Sequence, residues 1–364
     1  MQIQEICNYL NSIAPPHLQE SYDNSGLLIG NANAELTKAL ITLDVTEAVV
    51  QEAIDNNCNM IIAHHPLIFG GLTRITGSDY VQRCVTMAIK NDIAIYAIHT
   101  NLDNVLWGVN NKIAEKLRLK NLHILQHKEG QLLKLVTFVP HAQAEAVRDA
   151  LFAAGAGTIG MYDNCSYNSE GIGTFRAGEG ANPFVGQKNQ THNEPETRIE
   201  TIVSVHLRSH VQQALFISHP YEEVAYYWSL ILNDHQQIGS GAIGELESEM
   251  EVKEWLTYLK SKMNLSSIRY TKSYNGKVKK VAICGGSGSF LQKVAKNAGA
   301  DVYVTADFKY HDFFIAEDTM LLCDIGHYES EIFTNELLLE KLREKYLTFA
   351  AQISAIDTNP INYY

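Results

Sequence analysis

Two parts of the sequence alternate short apolar runs with amphipathic segments, and this alternation limits the chain to a few architectures. Three apolar runs and the two amphipathic segments between them make up residues 39–99, and the same alternation returns at 278–346. Apolar runs separated by segments of helical periodicity predict β-α-β units. Such units favour an α/β fold with a mostly parallel sheet that helices cover on both faces.

Residues 129–235 follow a different pattern. Their segments are ordered strand, helix, two short strands, strand, helix and strand, and a polar stretch at 187–197 predicts a mobile loop. This order is typical of a small α+β sandwich of ferredoxin-like type. We therefore predict a discontinuous α/β domain, formed by residues 1–128 and 236–364, with a second domain inserted into it.

The composition excludes several classes of protein. Hydrophobic residues make up 46% of the chain, as in globular proteins, and the net charge of −12 argues against broad binding to nucleic acid or anionic membranes. The six cysteines include no C-x-x-C pair, which argues against a structural zinc knuckle and fits a reducing compartment. With no signal-peptide pattern and no run of about twenty apolar residues, we expect a soluble cytoplasmic protein.

Imidazoles and carboxylates lie just beyond three of the predicted strands. In an open parallel α/β sheet, ligand sites lie at the carboxyl ends of the strands. We therefore expect these side chains to share one rim of the sheet. In chain order they are His64, His65, His99, Asp103, His327 and Glu331.

The adjacent residues His64 and His65 favour two metal ions over one. Neighbouring residues that leave a strand point in different directions, so one ion would not easily bind both. Two ions could each bind one histidine, with Glu331 or Asp103 bridging them. Histidine and carboxylate ligands admit zinc, iron, manganese, cobalt or nickel. The alternatives are hydrogen-bonded or solvent-facing histidines, a His-His-Pro turn and, at 327–331, a helix start with acidic residues.

Other polar segments have both a functional and a structural interpretation. The glycine-rich turn around Gly286 could bind an anion through its N–H groups, or it could be a tight turn. Lys309 could neutralise a substrate phosphate and His311 could transfer a proton, or both could belong to an exposed helix start. Asp23 could orient a ligand or cap a turn. His219 could bind a metal by itself or lie in a structural turn.

Three segments, IIAHHPLIFGG, AIHTNLDN and DIGHYESE, together resemble the Nif-three-like family, whose members are also called GTP cyclohydrolase I type 2 homologues. The segments YDNSGLLIG, CGGSGSF, TADFKYHD and GSGAIGEL are similar to further motifs of that family. The resemblance covers residues 1–125 and 236–364. The middle segment, with SHPYEEVAY, resembles the CutA/PII-like domain that longer bacterial members carry.

The resemblance implies a dinuclear metal site and a toroidal homohexamer whose sites face an inner cavity. His99 would be an additional ligand or would hydrogen-bond to one. Every position that the family uses for its metal ligands holds the expected residue type here. Those positions are His64, His65, Asp103, His327 and Glu331.

Three functions fit these residues. The first is a hydrolase that uses two divalent metal ions to cleave a small phosphorylated or purine-nucleotide-like substrate. The second is a non-catalytic metal-binding adaptor or metal-handling protein, whose ions are closed off from water. The third is GTP cyclohydrolase activity, which the family name implies. The zinc-dependent type I cyclohydrolases use thiolate ligands, whereas no cysteine lies among the ligands expected here, which weakens the third function.

Overall fold

The structure is a computed structural model that describes every residue of the chain except 273 and 275. The chain forms two compact units, one from residues 1–127 with 237–364 and one from residues 128–236. In the described residues, the first unit has a five-stranded and a six-stranded sheet, and the second unit has a four-stranded sheet. The chain therefore has a mixed α/β fold, as the sequence predicts.

Short strands prevail in the parallel parts of the first unit, and the longest strand of the second unit spans 14 residues. In chain order the strands are β1 (Gly26–Ile29), β2 (Ala39–Thr42), β3 (Met60–Ala63), β4 (Ala94–Ala97), β5 (Lys120–His127), β6 (Leu132–Pro140), β7 (Ser166–Arg176), β8 (Thr191–Ser204), β9 (Tyr226–Ile231), β10 (Gly239–Glu251), β11 (Arg269–Tyr270), β12 (Lys277–Ser287), β13 (Val302–Ala306), β14 (Leu321–Asp324) and β15 (Ala351–Ile353).

Helices connect most of the parallel strands. Thr46 and Asp79 cap the helices on either side of β3 by accepting hydrogen bonds from backbone N–H groups of the first turn. Among the described residues, no helix is both long and apolar enough to cross a membrane. The helices are α1 (Ile3–Ile13), α2 (Glu47–Asp55), α3 (Tyr80–Lys90), α4 (Thr100–Asp103), α5 (Val109–Lys116), α6 (Ala144–Ala153), α7 (Arg208–Ser218), α8 (Val252–Lys262), α9 (Gln292–Asn297), α10 (His327–Glu331) and α11 (Thr334–Lys345).

The two sheets of the first unit are each parallel in part. The first has the order β1-β4-β3-β2-β15, and only the edge strand β1 is antiparallel to its neighbour. The second has the order β11-β14-β13-β12-β10-β5, in which β12, β13 and β14 are parallel and the flanking strands are antiparallel. The expectation that all the strand ends share one rim is therefore wrong, because β3 and β4 belong to one sheet and β14 to the other.

Both faces of the parallel strands are buried. Ile62 of β3 and Ile283 of β12 lie in one core that both sheets share. On the opposite faces, Ile61 packs in a second core with α2 and α3, and Ala282 packs in a third core with α9. Strands buried on both faces are continuous apolar runs, which is why the local sequence predicts them.

The second unit has the sheet order β7-β8-β6-β9, and every neighbouring pair is antiparallel. Its helices α6 and α7 pack against one face, where Leu135 and Ile199 are buried. The predicted mobile loop at 187–197 is wrong in its second half, because β8 begins at Thr191 and pairs residue by residue with β7. The polar residues of that second half belong to β8, and helices cover only one face of that strand. The residues on the uncovered face do not show the apolar pattern that predicts a strand.

We predict that Ile62→Ala lowers the free energy of unfolding by about 2–5 kcal/mol, because it removes a fully buried side chain from the shared core. Urea denaturation followed by circular dichroism measures this change. Ile89→Ala is the matched control, since Ile89 is 56% exposed on α3, and it should cost about 0.5 kcal/mol or less. Equal costs for the two variants would contradict the buried position of Ile62.

Candidate metal centre

The candidate ligands lie where β3, β4 and β14 end. His64 and His65 follow β3, and their N–H groups donate to the carbonyl oxygens of Thr42, the last residue of β2, and of Leu43, which follows it. This pairing continues the parallel register of the two strands and fixes the backbone of both histidines. Because consecutive side chains alternate, the two imidazoles leave the sheet in different directions, with ring centroids 5.0 Å apart.

Two short helices supply the other side chains. His99 is the first residue of the turn into α4, and Asp103 ends that helix. After β14, Gly326 turns the chain with a φ of +91°, and α10 begins at His327. One helical turn separates His327 from Glu331, so both side chains lie on the same face of α10.

Glu331 is the centre of the cluster. Its side chain is 3% exposed, and its Oε2 lies 2.9 Å from Nε2 of His65 and 3.1 Å from Nε2 of His327. Its other oxygen, Oε1, lies 3.9 Å from Nε2 of His64, which in turn lies 3.6 Å from Oδ1 of Asp103. The two oxygens of one carboxylate thus face two different sets of side chains.

Each imidazole of the cluster is held by an oxygen at Nδ1, which leaves Nε2 as the atom that could bind a metal ion. Bonds of this kind fix the orientation and tautomer of metal-binding histidines. The pairs are His64 with the carbonyl of Ile98 at 2.7 Å, His65 with Asp44 at 2.7 Å, His99 with Asp23 at 2.7 Å, and His327 with Asp307 at 2.6 Å.

The donor set fits metal ions. Nε2 of His64 and Oδ1 of Asp103 are buried and have no hydrogen-bond partner among the described residues, an arrangement that costs free energy unless a cation binds there. The described residues form three groups of three donor atoms, and within each group the atoms lie within 4.8 Å of one another. Nitrogen and oxygen donors without thiolate suit divalent transition metals. The groups are His64, Asp103 and Glu331; His65, His327 and Glu331; and His64, His65 and His99.

The ionisation of the cluster follows from its burial and its contacts. Burial raises the pKa of Glu331, but hydrogen bonds with the histidines, led by that with His327, outweigh it and hold the pKa well below its usual range. Burial and the charge of Glu331 raise the pKa of Asp103 well above normal. Burial lowers the pKa of His64, which keeps that imidazole neutral and able to coordinate.

Two histidines are shifted in the opposite direction. Burial lowers the pKa of His65, but its hydrogen bonds to Asp44 and Glu331 outweigh this and raise the pKa to about 10. The pKa of His327 is raised to about 11, since contacts with Asp307 and Glu331 outweigh burial. Metal binding would therefore displace protons from both rings.

Of Gly286, Lys309 and His311, which the sequence also suggests for a site, one lies against the cluster and two lie outside it. Gly286, with a φ of +61°, lies against the centre: a Cβ there would be 2.2 Å from Oε1 of Glu331. Its N–H donates to Oγ of Ser330, so the turn does not direct that group at an anion. Lys309 and His311 are exposed and belong to none of the donor groups.

Sequence reasoning missed Asp44 and gave no histidine partner to Asp307 or Asp23. Asp44 follows β2 as His65 follows β3, and the parallel register that pairs Thr42 with Ala63 brings the two side chains together. The signal was an acidic residue just beyond an apolar run. It can be used only when the neighbouring strand is known.

Comparisons with known proteins cover both units. A family model described as Duf34/NIF3 (NGG1p interacting factor 3) matches residues 1–360. A Bacillus subtilis protein named GTP cyclohydrolase 1 type 2 homolog is 38% identical over 99% of this chain and 98% of its own length. A Staphylococcus epidermidis protein of the same name is 37% identical over the full length of both. The crystal structure of a Bacillus cereus protein related to NIF3 is 39% identical, with a TM-score of 0.88 over 100% of this chain and 99% of its own.

We predict that Asp44→Asn lowers the pKa of His65 from about 10 towards the ordinary histidine value. The amide provides neither the negative charge nor the same acceptor for the imidazolium. An NMR titration of the imidazole in chelator-treated protein measures the shift. Asp55→Asn, at an exposed position on α2, is the control and should leave the titration unchanged.

The same shift has a consequence for stability. Because the folded-state pKa of His65 is raised, its stabilising contribution is fully present below about pH 6.5 and is lost as the pH rises through about 10. Between about pH 6.5 and pH 10, the free energy of unfolding of the chelator-treated parent should therefore fall more than that of Asp44→Asn. A His65 titration that Asp44→Asn leaves in place would contradict the argument.

Proposed function

This chain belongs to the Duf34/NIF3 family, and we propose that it is a hydrolase that uses two divalent metal ions. The family resemblance predicted from the sequence motifs is confirmed by these matches. One observation carries the proposal: the two oxygens of Glu331 face two separate sets of nitrogen and oxygen donors. One ion would bind His64, Asp103 and Glu331, and the other would bind His65, His327 and Glu331.

The division of work between the ions and the chain follows from these contacts. When bound, two divalent ions would polarise a substrate oxygen and make water a stronger nucleophile. The chain holds the donor atoms, and Glu331 spans the two positions. His99, anchored through Nδ1 to Asp23, has its coordinating nitrogen within 4.8 Å of those of His64 and His65. It is positioned to transfer a proton or to add a ligand.

Exposed side chains near the cluster support a small phosphorylated, purine-like substrate. The rings of Tyr22 and Phe69 stack with centroids 6.2 Å apart, and the ring of Phe69 lies 6.0 Å from that of His99. A flat heteroaromatic ring would find a matching face there. Lys309 and His311 follow Asp307, whose carboxylate contacts His327. Lys309 would provide positive charge for a phosphate, and His311 could transfer a proton.

A non-catalytic metal-binding role is the second candidate. The deep burial of His64 and Glu331 would equally suit ions that are held without turnover. GTP cyclohydrolase chemistry with thiolate ligands has less support. Burial, together with the negative charges of Asp103 and Glu331, raises the pKa of the Cys284 thiol. That thiol stays protonated and is a poor metal ligand.

The organisation of the whole protein is part of the proposal. The strand order of the second unit and its β-α-β-β-α-β succession support a ferredoxin-like, CutA/PII-like domain at residues 129–235, inserted into an α/β domain of residues 1–128 and 236–364. We further propose a cytoplasmic homohexamer that acts on a small molecule rather than on nucleic acid.

We predict that the parent binds about two metal ions per chain, whereas His65→Ala retains about one. Glu331→Gln should reduce both occupancies and lower the hydrolysis of p-nitrophenyl phosphate or GTP by at least about 100-fold, because Glu331 serves both positions. Elemental analysis of protein prepared without chelator, paired with activity assays, measures both effects. His123→Ala, on an exposed edge of β5, and Glu329→Gln, on α10, are matched controls.

The outcomes separate the two candidate functions. Two ions per chain in both His65→Ala and Glu331→Gln would refute the ligand assignment. Two ions in the parent without hydrolysis of any phosphoester or nucleotide would favour the non-catalytic role.

The proposed assembly makes a separate prediction. Light scattering coupled to gel filtration should give six times the chain mass of 40.7 kDa. A monomer or dimer at micromolar concentration would refute the hexamer and leave the ligand assignment in place.

A further inference from the structure

A second site lies in the unit of residues 128–236, on the face of its sheet that the helices leave uncovered. A cleft of about 720 Å³ opens there, within the size range of small-molecule sites. Strands β6 to β9 form its floor, and the segment 177–184 between β7 and β8 contributes one wall. Glu222 holds that wall, since its Oε1 accepts a hydrogen bond of 2.7 Å from the N–H of Asn182.

A carboxylate lies at the bottom of this cleft. Glu196 of β8 is only 7% exposed, and its Oε1 accepts a hydrogen bond of 2.8 Å from the hydroxyl of Tyr221. Burial and this contact raise the pKa of Tyr221, so its hydroxyl remains a donor. The other oxygen, Oε2, lies against the bare backbone of Gly173, where a Cβ would be 2.2 Å away.

The second feature of this carboxylate is the lack of a cationic partner among the described residues. Within the described part of the chain, no lysine, arginine or histidine forms an ion pair with Glu196. Arg198 lies two residues along on the same face of β8, but its Nη2 is 2.7 Å from Oε1 of Glu200. A buried carboxylate without a positive partner is costly, and a cation that binds there would offset the cost.

Aromatic rings line the cleft around the carboxylate. The rings of Phe175 and Phe184 lie 6.1 and 6.3 Å from that of Tyr221, and Tyr227 packs edge-on against Phe138 at 5.9 Å. The faces of such rings attract ammonium and guanidinium groups as well as apolar surface. Carboxylate and rings therefore favour the same kind of ligand.

We propose that this cleft binds a small organic cation, an amine or guanidinium carried on an apolar or aromatic body. The cationic group reaches Oε2 of Glu196, and the body lies among Phe175, Phe184 and Tyr227. A second copy of the chain is the rival occupant, since the sheet face is open. The carboxylate is only 7% exposed at the floor of the cleft, which favours a slender cation that enters the cleft over a second copy.

The test uses three probes of one shape and different charge: benzylamine, benzyl alcohol and benzoate. Ligand-observed NMR titrations on the full-length chain should show saturable binding of benzylamine, at least about tenfold tighter than either of the others. Glu196→Gln should weaken benzylamine at least about tenfold and leave benzyl alcohol unchanged. Glu145→Gln, at an exposed position on α6, is the matched control and should change neither.

A second variant tests the geometry without altering any charge. Gly173→Ala would push the carboxylate of Glu196 out of its position and should also weaken benzylamine binding. Gly180→Ala is its control, because a Cβ there meets no atom within 4 Å and Gly180 does not face the cleft. An unfolding midpoint equal to that of the parent shows that a variant is folded. If Glu196→Gln does not fold, Gly173→Ala still tests the proposal.

Several results would overturn the proposal. Equal binding of the three probes, or benzylamine binding that survives both Glu196→Gln and Gly173→Ala, would mean that the carboxylate does not select a cation. No benzylamine binding, together with a change of oligomeric mass in Glu196→Gln, would mean that another copy covers the cleft.

Discussion

Glu331 is a carboxylate that is 3% exposed, and its ion-pair partners in the described chain are three histidines. A buried carboxylate must be matched by positive charge, and here protonated imidazoles or metal ions can provide it. The same contacts hold the pKa of Glu331 low and raise those of His65 and His327. Exchange of these protons for metal ions leaves the negative carboxylate matched, so the fold accommodates either state.

The two sheets of the first unit explain how such a cluster is built. The parallel strands β3 and β4 end at His64, His65 and His99, whereas β14 belongs to the second sheet and leads into His327 and Glu331. The core that both sheets share fixes these ends relative to one another. Carboxylates that follow β2 and β13, together with Asp23, then orient the rings.

Much of this arrangement could be predicted from the sequence. Apolar runs buried on both faces identified β2, β3, β4, β12, β13 and β14, and the four-residue spacing of His327 and Glu331 indicated one helical face. The division into two sheets could not be predicted, because β5 and β10 are antiparallel strands whose pairing is not visible locally. In β10 the register shifts between Glu245 and Met250, which breaks the alternation that would reveal a strand. The role of Asp44 could not be predicted for a related reason, because the register between β2 and β3 determines its contact with His65.

We propose above all that Glu331 bridges two metal ions. Anomalous diffraction from crystals of the zinc-loaded protein, measured at the metal absorption edge, tests it most directly. We expect two peaks roughly 3.5–4 Å apart, with Glu331 between them, His64 and Asp103 beside one, and His65 and His327 beside the other. A single peak, or two peaks that do not share Glu331, would contradict it.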